Sequence, residues 1–344
     1  YLYKESVWRK WLKIMVKTAF IYPLLGWWRH RDIRCMEAVN RVKNEVRSFE
    51  EFRNKHIDQS RRIYGTLTEL RQDPPAADVY IAGSDQIWNP MLLRRKDGRA
   101  FWLDFGEDRV RRVAYAASYG VDKCPPGLQK ELSRRLYRFD ALSVREESGV
   151  SICRASGKEA THVLDPTLLL SMDDYLSLLE DIPVRPSPYI YIYSINISSK
   201  EDIRWSELRG FSKIGGLSLV VTPASGYLPG RELFEGVEYS YAAIPEWLSL
   251  IRHAGLVVTT SFHGVVFCIL FHKRFVYFPL SGTYAKGNSR VLNLLSNLSL
   301  SDCIWKAPGD FKRIYHLSID WDRVEELLAP LRDKSVSFLK QVLS

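Results

Sequence analysis

The sequence predicts an α/β protein of two domains, each a doubly wound parallel sheet. Short apolar runs alternate with helical patterns, the signature of parallel βαβ units. The alternation stops at residues 181–188, DIPVRPSP, with three prolines in eight residues, and then restarts. The length, 344 residues, exceeds one ordinary domain and suits two. The expected division is 1–182, 183–320 and a terminal helix, 321–344, packing back across the first domain.

In order, residues 4–28 place Val7, Trp11, Ile14, Met15 and Thr18 at helical spacing, with Arg9, Lys13 and Lys17 on a separate stripe. A basic helix with tryptophan suits a membrane interface. A surface helix packed on its own domain has the same pattern and is the favoured reading. Residues 32–53 form a second long helical pattern with one solvated face. Residues 78–85 read as a strand ending in Gly83, Ser84 and Asp85, and a turn carrying Trp88 stops at Asn89-Pro90. A strand over 111–118 ends on Ser118, and a helix follows from Pro125 to about Phe139. A strand over 141–145 ends on Arg145, with a helix beyond Glu146 and Glu147. A short strand over 162–165 closes on Asp165-Pro166. After the proline-rich stretch come a strand (189–195), a helix (199–213), a strand (217–222), a Gly/Pro-rich loop to Glu235 and a helix from Pro245. Residues 256–260 form a buried strand that breaks through Ser261, Phe262, His263 and Gly264 into an apolar helix. A strand (274–279), a polar loop, a helix (291–298) and a helical tail (321–343) complete the chain.

Composition narrows the class. Apolar residues are 46% and aromatics 12% of the chain, enough for substantial cores, so this is a folded chain and not a disordered one. The net charge of +9 fits an anionic small molecule, an acidic membrane surface or nucleic acid, and no nucleic-acid motif accompanies it. Five scattered cysteines without a CxxC pair argue for a reducing compartment and against a disulfide framework or a zinc site. No apolar run is long enough to span a bilayer, so the expected location is cytoplasmic, with peripheral contact at the inner face of the plasma membrane through residues 4–28 as an option.

Several residues stand where ligands meet open α/β sheets, at the carboxyl ends of strands. Gly83 lets the backbone turn sharply or approach a ligand closely. Arg145 can grip a carboxylate or phosphate bidentately, or pair with Glu146 as an ordinary salt bridge. Ser261 is a natural N-cap, and the helix start at Ser261–Gly264 can hold an anion. His263 titrates near neutrality and suits proton transfer, although a histidine at a βα corner is more often a core residue. Asp85 is a candidate base or a turn cap, Trp88 a sugar-stacking face or, preferably, core. Asp165 reads as a structural Asp-Pro turn.

Six motifs in order carry a resemblance: GSDQIWNP (83–90), YAASYG (115–120), SVREESG (143–149), VLDPTLLL (163–170), PEWLSLIRHAGLVVTTSFHG (245–264) and NSR (288–290). Together they resemble the polysaccharide pyruvyl transferase family of bacterial cell-surface carbohydrate synthesis. The resemblance implies two Rossmann-like domains facing a cleft, the glycosyltransferase type B architecture. It further implies transfer of the enolpyruvyl group of phosphoenolpyruvate onto two hydroxyls of a lipid- or nucleotide-linked glycan, giving a pyruvate ketal in exopolysaccharide or capsule synthesis. No cofactor and no metal are then required. By similarity His263 matches the family's histidine and is expected to act as the acid that protonates the enol carbon. Asp85 is the candidate, on chemical grounds, for the base toward the sugar hydroxyl. Arg145, Ser261, Gly264, Lys286, Ser289 and Arg290 are the donor-binding candidates, from the C-terminal, donor side and the facing strand end. Gly83, Ser84, Trp88 and Ser118 are expected to line the cleft on the N-terminal, acceptor side. Family members usually begin with a strand, an Asn-Tyr-Gly-type loop and a helix. That unit is missing from the start of this sequence, so the N-terminal domain is expected to lack its first strand and part of the cleft. Two other activities fit the same architecture: a glycosyltransferase using a nucleotide sugar, and a non-catalytic polysaccharide-assembly protein.

Overall fold

The computed structural model describes residue 38 and residues 41–60, 62–93, 97–186, 188–224 and 233–344. The amphipathic pattern of residues 4–28 lies outside the described residues. The pattern at 32–53 does not run on as one helix. A π-helical turn, Val42–Val46, ends at Ser48, whose left-handed φ of 48° starts a new helix, Phe49–His56, with no buried residue. Buried Arg47 between them donates through Nε to Ala242 O at 3.0 Å and through Nη1 to Pro223 O at 3.2 Å. This early segment is therefore anchored on the second domain, although it precedes the first.

Two parallel sheets follow. The first contains β1 (Val79–Ala82), β2 (Arg111–Ala117), β3 (Ala141–Val144) and β4 (Thr161–His162), in the order β1-β2-β3-β4. The second contains β5 (Tyr189–Tyr193), β6 (Ser218–Val221), β7 (Glu238–Tyr239), β8 (Leu256–Thr259) and β9 (Phe275–Tyr277), ordered β7-β6-β5-β8-β9. Every described strand pair is parallel. Among the described strands only the second sheet reverses its winding direction, between β5 and β8.

Parallel sheets need cover on both faces, and the side chains sort accordingly. In the second sheet Tyr189, Tyr191 and Val257 point to one core, and Ile190, Ile192 and Val258 to the other. In the first, Tyr80, Ala114 and Leu142 face one core. Val113 and Tyr115 face a smaller one closed by Phe338 and Val342 of the long helix Trp321–Leu343. Upstream, Val324 and Leu328 of that helix join the core of the second domain. The helix thus crosses from one domain to the other, with Pro330 between its two contact zones.

A second crossing comes earlier than the proline-rich stretch suggests. Leu164, Leu168 and Leu179 belong to the same cluster as Tyr191, Val257 and Phe267 of the second domain. The apolar packing changes domain at residues 163–164, because Val163 still faces Phe338 while Leu164 turns the other way.

Candidate active site

The carboxyl ends of β1, β3 and β4 meet the turn after β8. Arg145, one residue past β3, is 6% exposed and is the hub. Its Nη1 donates to Asp165 Oδ2 at 2.6 Å, its Nη2 lies 3.3 Å from Asp85 Oδ1, and its Nε lies 3.4 Å from Glu146 Oε1. The guanidinium also sits 4.6 Å from the ring centroid of Phe262, on the other domain. Burial disfavours the charged guanidinium, but Glu146 and Asp165 outweigh it and raise its pKa further.

Asp165 is almost fully buried and has four partners. Besides Arg145 it accepts from Ser84 Oγ at 2.9 Å and from Thr167 Oγ1 at 2.7 Å, and its Oδ2 stands 3.9 Å from His263 Nε2. Burial alone would raise its pKa, yet Arg145 and then His263 hold it below the usual carboxylate value. The Asp-Pro turn read from sequence is present, since Asp165 caps the short 3-10 turn Pro166–Leu168. The same carboxylate nevertheless binds the hub, which the turn reading did not anticipate.

His263 lies in the first turn of the helix Phe262–Leu270, with 42% of its side chain accessible at the rim of the cleft. Crowding lowers its pKa below 6.5. Asp165 pulls the other way, and Arg145 again downward. The ring therefore rests neutral near pH 7.

The helix start beneath it is filled differently from expectation. Ser261 Oγ accepts from Gly264 N at 3.3 Å, and Ser261 N donates to Thr259 Oγ1 at 3.0 Å. Both residues are buried, and the contacts that would cradle an anion make the cap instead. Gly264 is needed for closeness: a Cβ there would stand 2.4 Å from Thr259 Oγ1.

Arg290, in the helix Ser289–Asn297, approaches from the second domain. Its guanidinium lies 5.5 Å from the Phe262 centroid, so arginines of both domains approach the same ring. With the Gln86 amide oriented to satisfy it, Gln86 Oε1 accepts from Arg290 Nη1 at 2.8 Å. Its buried Nε has no hydrogen-bond partner among the described residues. Burial and the neighbouring Arg145 lower its pKa from 12.5. Ser289 is half-buried beside it. Lys286 is exposed on the 3-10 turn Gly282–Gly287, and no ion pair or hydrogen bond joins it to the cluster.

The first-domain wall differs from the expected acceptor surface. Trp88 is 1% exposed, stacked on Trp102 at 4.7 Å and edge-on to Phe139, so it belongs to the core and offers no face to the cleft. Ser118 is completely buried and donates to Glu146 Oε1 at 2.5 Å, so it orients the hub's neighbour and does not line the cleft. Ser84 is tied to Asp165, as above. Gly83, at φ 143°, is required by packing: a Cβ there would lie 1.8 Å from Tyr115 O. Asp85 remains open, with 69% of its side chain accessible and a left-handed φ of 62°. Sequence reasoning passed over Glu146 and Phe262 as site residues. Their signal was position alone: each adjoins a chosen residue at a strand end. Among the described residues no cluster of three His, Cys, Asp or Glu could hold a metal, and no helix is long and apolar enough to cross a membrane.

Two Rossmann-like parallel domains with facing carboxyl edges, meeting over arginines, carboxylates and a histidine, define a type B glycosyltransferase-like architecture. The chain belongs to the polysaccharide pyruvyl transferase family, whose model matches residues 7–282. Among solved structures it is similar to UDP-GlcNAc 2-epimerase from Methanocaldococcus jannaschii, at 12% identity and TM-score 0.48, covering 80% of this chain and 77% of that one. It is also similar to the Neisseria meningitidis UDP-GlcNAc 2-epimerase, at 10% identity and TM-score 0.44, covering 77% and 75%. The wall teichoic acid polymerase TagF matches at 13% identity and TM-score 0.39, covering 67% and 65%. A search of curated proteins returned no match.

Proposed function

We propose that the chain moves the enolpyruvyl group of phosphoenolpyruvate onto two hydroxyls of a lipid- or nucleotide-linked glycan, forming a pyruvate ketal. The observation that supports it most is the junction itself, where arginines from both domains approach Phe262 and His263 stands 3.9 Å from a buried carboxylate. Phosphoenolpyruvate carries a carboxylate and a phosphate and calls for two cationic grips. Arg145 is already committed to carboxylates, whereas Arg290 forms no ion pair among the described residues and is the freer of the two.

The chemistry needs a proton shuttle. A neutral His263 takes the proton of the first sugar hydroxyl as its oxygen bonds to C2 of the enolpyruvyl group. The imidazolium delivers that proton to C3 in the same step: the π pair forms the new C–H bond, turns the methylene into a methyl and leaves C2 electron-poor for the incoming oxygen. The second hydroxyl attacks C2, the C2–O bond to phosphorus breaks, and the remaining proton passes through Asp85 to water or to departing phosphate. A purely acidic role for His263, as first expected, would need a charged ring at rest, which its surroundings disfavour. Asp165 holds Arg145 and faces the imidazolium that forms.

Mass spectrometry tests the proposal. The host's own glycans, incubated with protein and phosphoenolpyruvate, should gain the mass of pyruvate less water, with release of inorganic phosphate. No such gain on any acceptor would sink it.

A further inference from the structure

The second sheet reverses its winding between β5 and β8, and open α/β sheets bind ligands in the crevice at such a switch point. A cavity of about 420 Å³ opens there, within the range of small-molecule sites. Asn196, just past β5, and Thr260, just past β8, line it, and Thr260 leads directly into the Ser261–His263 turn. Its far wall is Trp305, with Arg204 lying 4.7 Å from the indole centroid. Asn196 and Arg204 both hold left-handed φ values, 56° and 54°, which are uncommon for residues other than glycine.

The lining fits one ligand chemistry. Glu201 and Asp202 are exposed carboxylates on the rim. Glu201 Oε1 accepts from Ser206 Oγ at 3.3 Å and Asp202 Oδ2 from Ser198 N at 2.7 Å and Ser199 N at 3.1 Å, so one oxygen of each is left for a ligand. The Arg204 side chain makes no ion pair or hydrogen bond among the described residues, and Trp305 contributes its ring to the lining while its Nε1 is buried out of reach. The Arg204 guanidinium and the uncommitted oxygens of Glu201 and Asp202, around aromatic and aliphatic surface, match a polyhydroxylated ring, which offers donors and acceptors and has apolar C–H faces. A phosphate would meet two carboxylates against one guanidinium. Of the acceptor face expected on the first domain, Trp88 and Ser118 are sealed in the core, which leaves the sugar ring less surface there.

We propose that this cavity is a glycan subsite, seating an uncharged sugar ring of the acceptor beside the His263 turn. Calling the sugar an acceptor rests on the pyruvyl-transfer reading, whereas sugar binding itself does not.

The test is saturation-transfer NMR on the whole chain with lactose, cellobiose and N,N′-diacetylchitobiose, and separately with UDP. Glu201→Gln and Arg204→Ala change exposed side chains, and their melting curves check folding. At least one disaccharide should bind, and binding should weaken about tenfold in either variant, the effect of one lost charge-assisted hydrogen bond. Absence of binding for all three sugars, or binding unchanged in both variants, would overturn the proposal. So would UDP binding that is lost in the variants, because the cavity would then be a nucleotide site. Pyruvyl transfer enters none of these readouts, so failure of that activity and failure of the subsite are told apart.

Discussion

Asp165 Oδ2, from the first domain, stands 3.9 Å from His263 Nε2, on the second. This contact makes proton chemistry on one domain depend on a carboxylate held by the other, and it sets most of the expected behaviour.

Replacing His263 should remove the proton shuttle and leave the fold intact, because 42% of the side chain is accessible and its helix is capped by Ser261. His263→Ala is expected to lower the transfer rate by about 10²- to 10⁴-fold. Full activity with an unchanged melting curve would take His263 out of the mechanism.

The pH dependence follows from the direction of the His263 shift. The ring must be neutral to take a proton, so activity should fall on the acid side, with an apparent pKa below 6.5. Asp165 raises that value, so Asp165→Asn should move the acid limb lower still. Between the folded-state pKa and 6.5 the unfolded chain binds more protons at this residue, so its contribution to stability rises with pH in that window. NMR titration of the His263 ring in both proteins measures the shift directly; an upward move in the variant would contradict this electrostatic account.

The Arg145–Asp165 pair is buried on both sides, each side chain 2% accessible. Asp165→Ala leaves a buried cation and should cost about 3–5 kcal/mol, whereas replacing both by apolar residues should recover much of the loss. Urea denaturation of the single and double variants would show this. A double variant no more stable than the single one would mean that the loss comes from packing and not from charge.

Gly83→Ala forces a methyl carbon onto Tyr115 O, at 1.8 Å, where only backbone movement gives room. Loss of at least about 1–3 kcal/mol is expected, from strain of the overpacking kind. A melting temperature equal to that of the unmodified chain would show that the β1 end is looser than described.

Phe338 is 8% exposed and closes the smaller core of the first sheet. Truncation to alanine should cost about 3–5 kcal/mol. A cost under half that, read from chemical denaturation, would make the terminal helix an accessory to the first domain and not part of its core.

Most strands were legible to within a few residues, since a parallel strand is a short apolar run between polar turns, but the strand expected over 162–165 is Thr161–His162. The expected 111–118 is Arg111–Ala117, and the tail helix is Trp321–Leu343 as read. What escaped has a physical cause. The helix expected over 199–213 breaks at Arg204, whose left-handed backbone leaves no trace in hydrophobic periodicity. β7 has two residues, too few for any period. The cleft candidates divided by depth. A tryptophan or serine near a strand end reads the same whether it faces solvent or core, so Trp88 and Ser118 could not be assigned from sequence. The role of Asp165 depends on partners from three other segments, which no local pattern reports.

The two crossings between domains make each half a template for the other. Leu164, Leu168 and Leu179 complete the second domain's core from the amino-terminal side of the proline-rich stretch. Phe338 and Val342 complete the first domain's core from its far side. A chain cut within residues 183–186 would therefore yield two pieces, each carrying the missing wall of its partner. Such pieces should reassemble as complementing fragments, and neither should reach the native state alone.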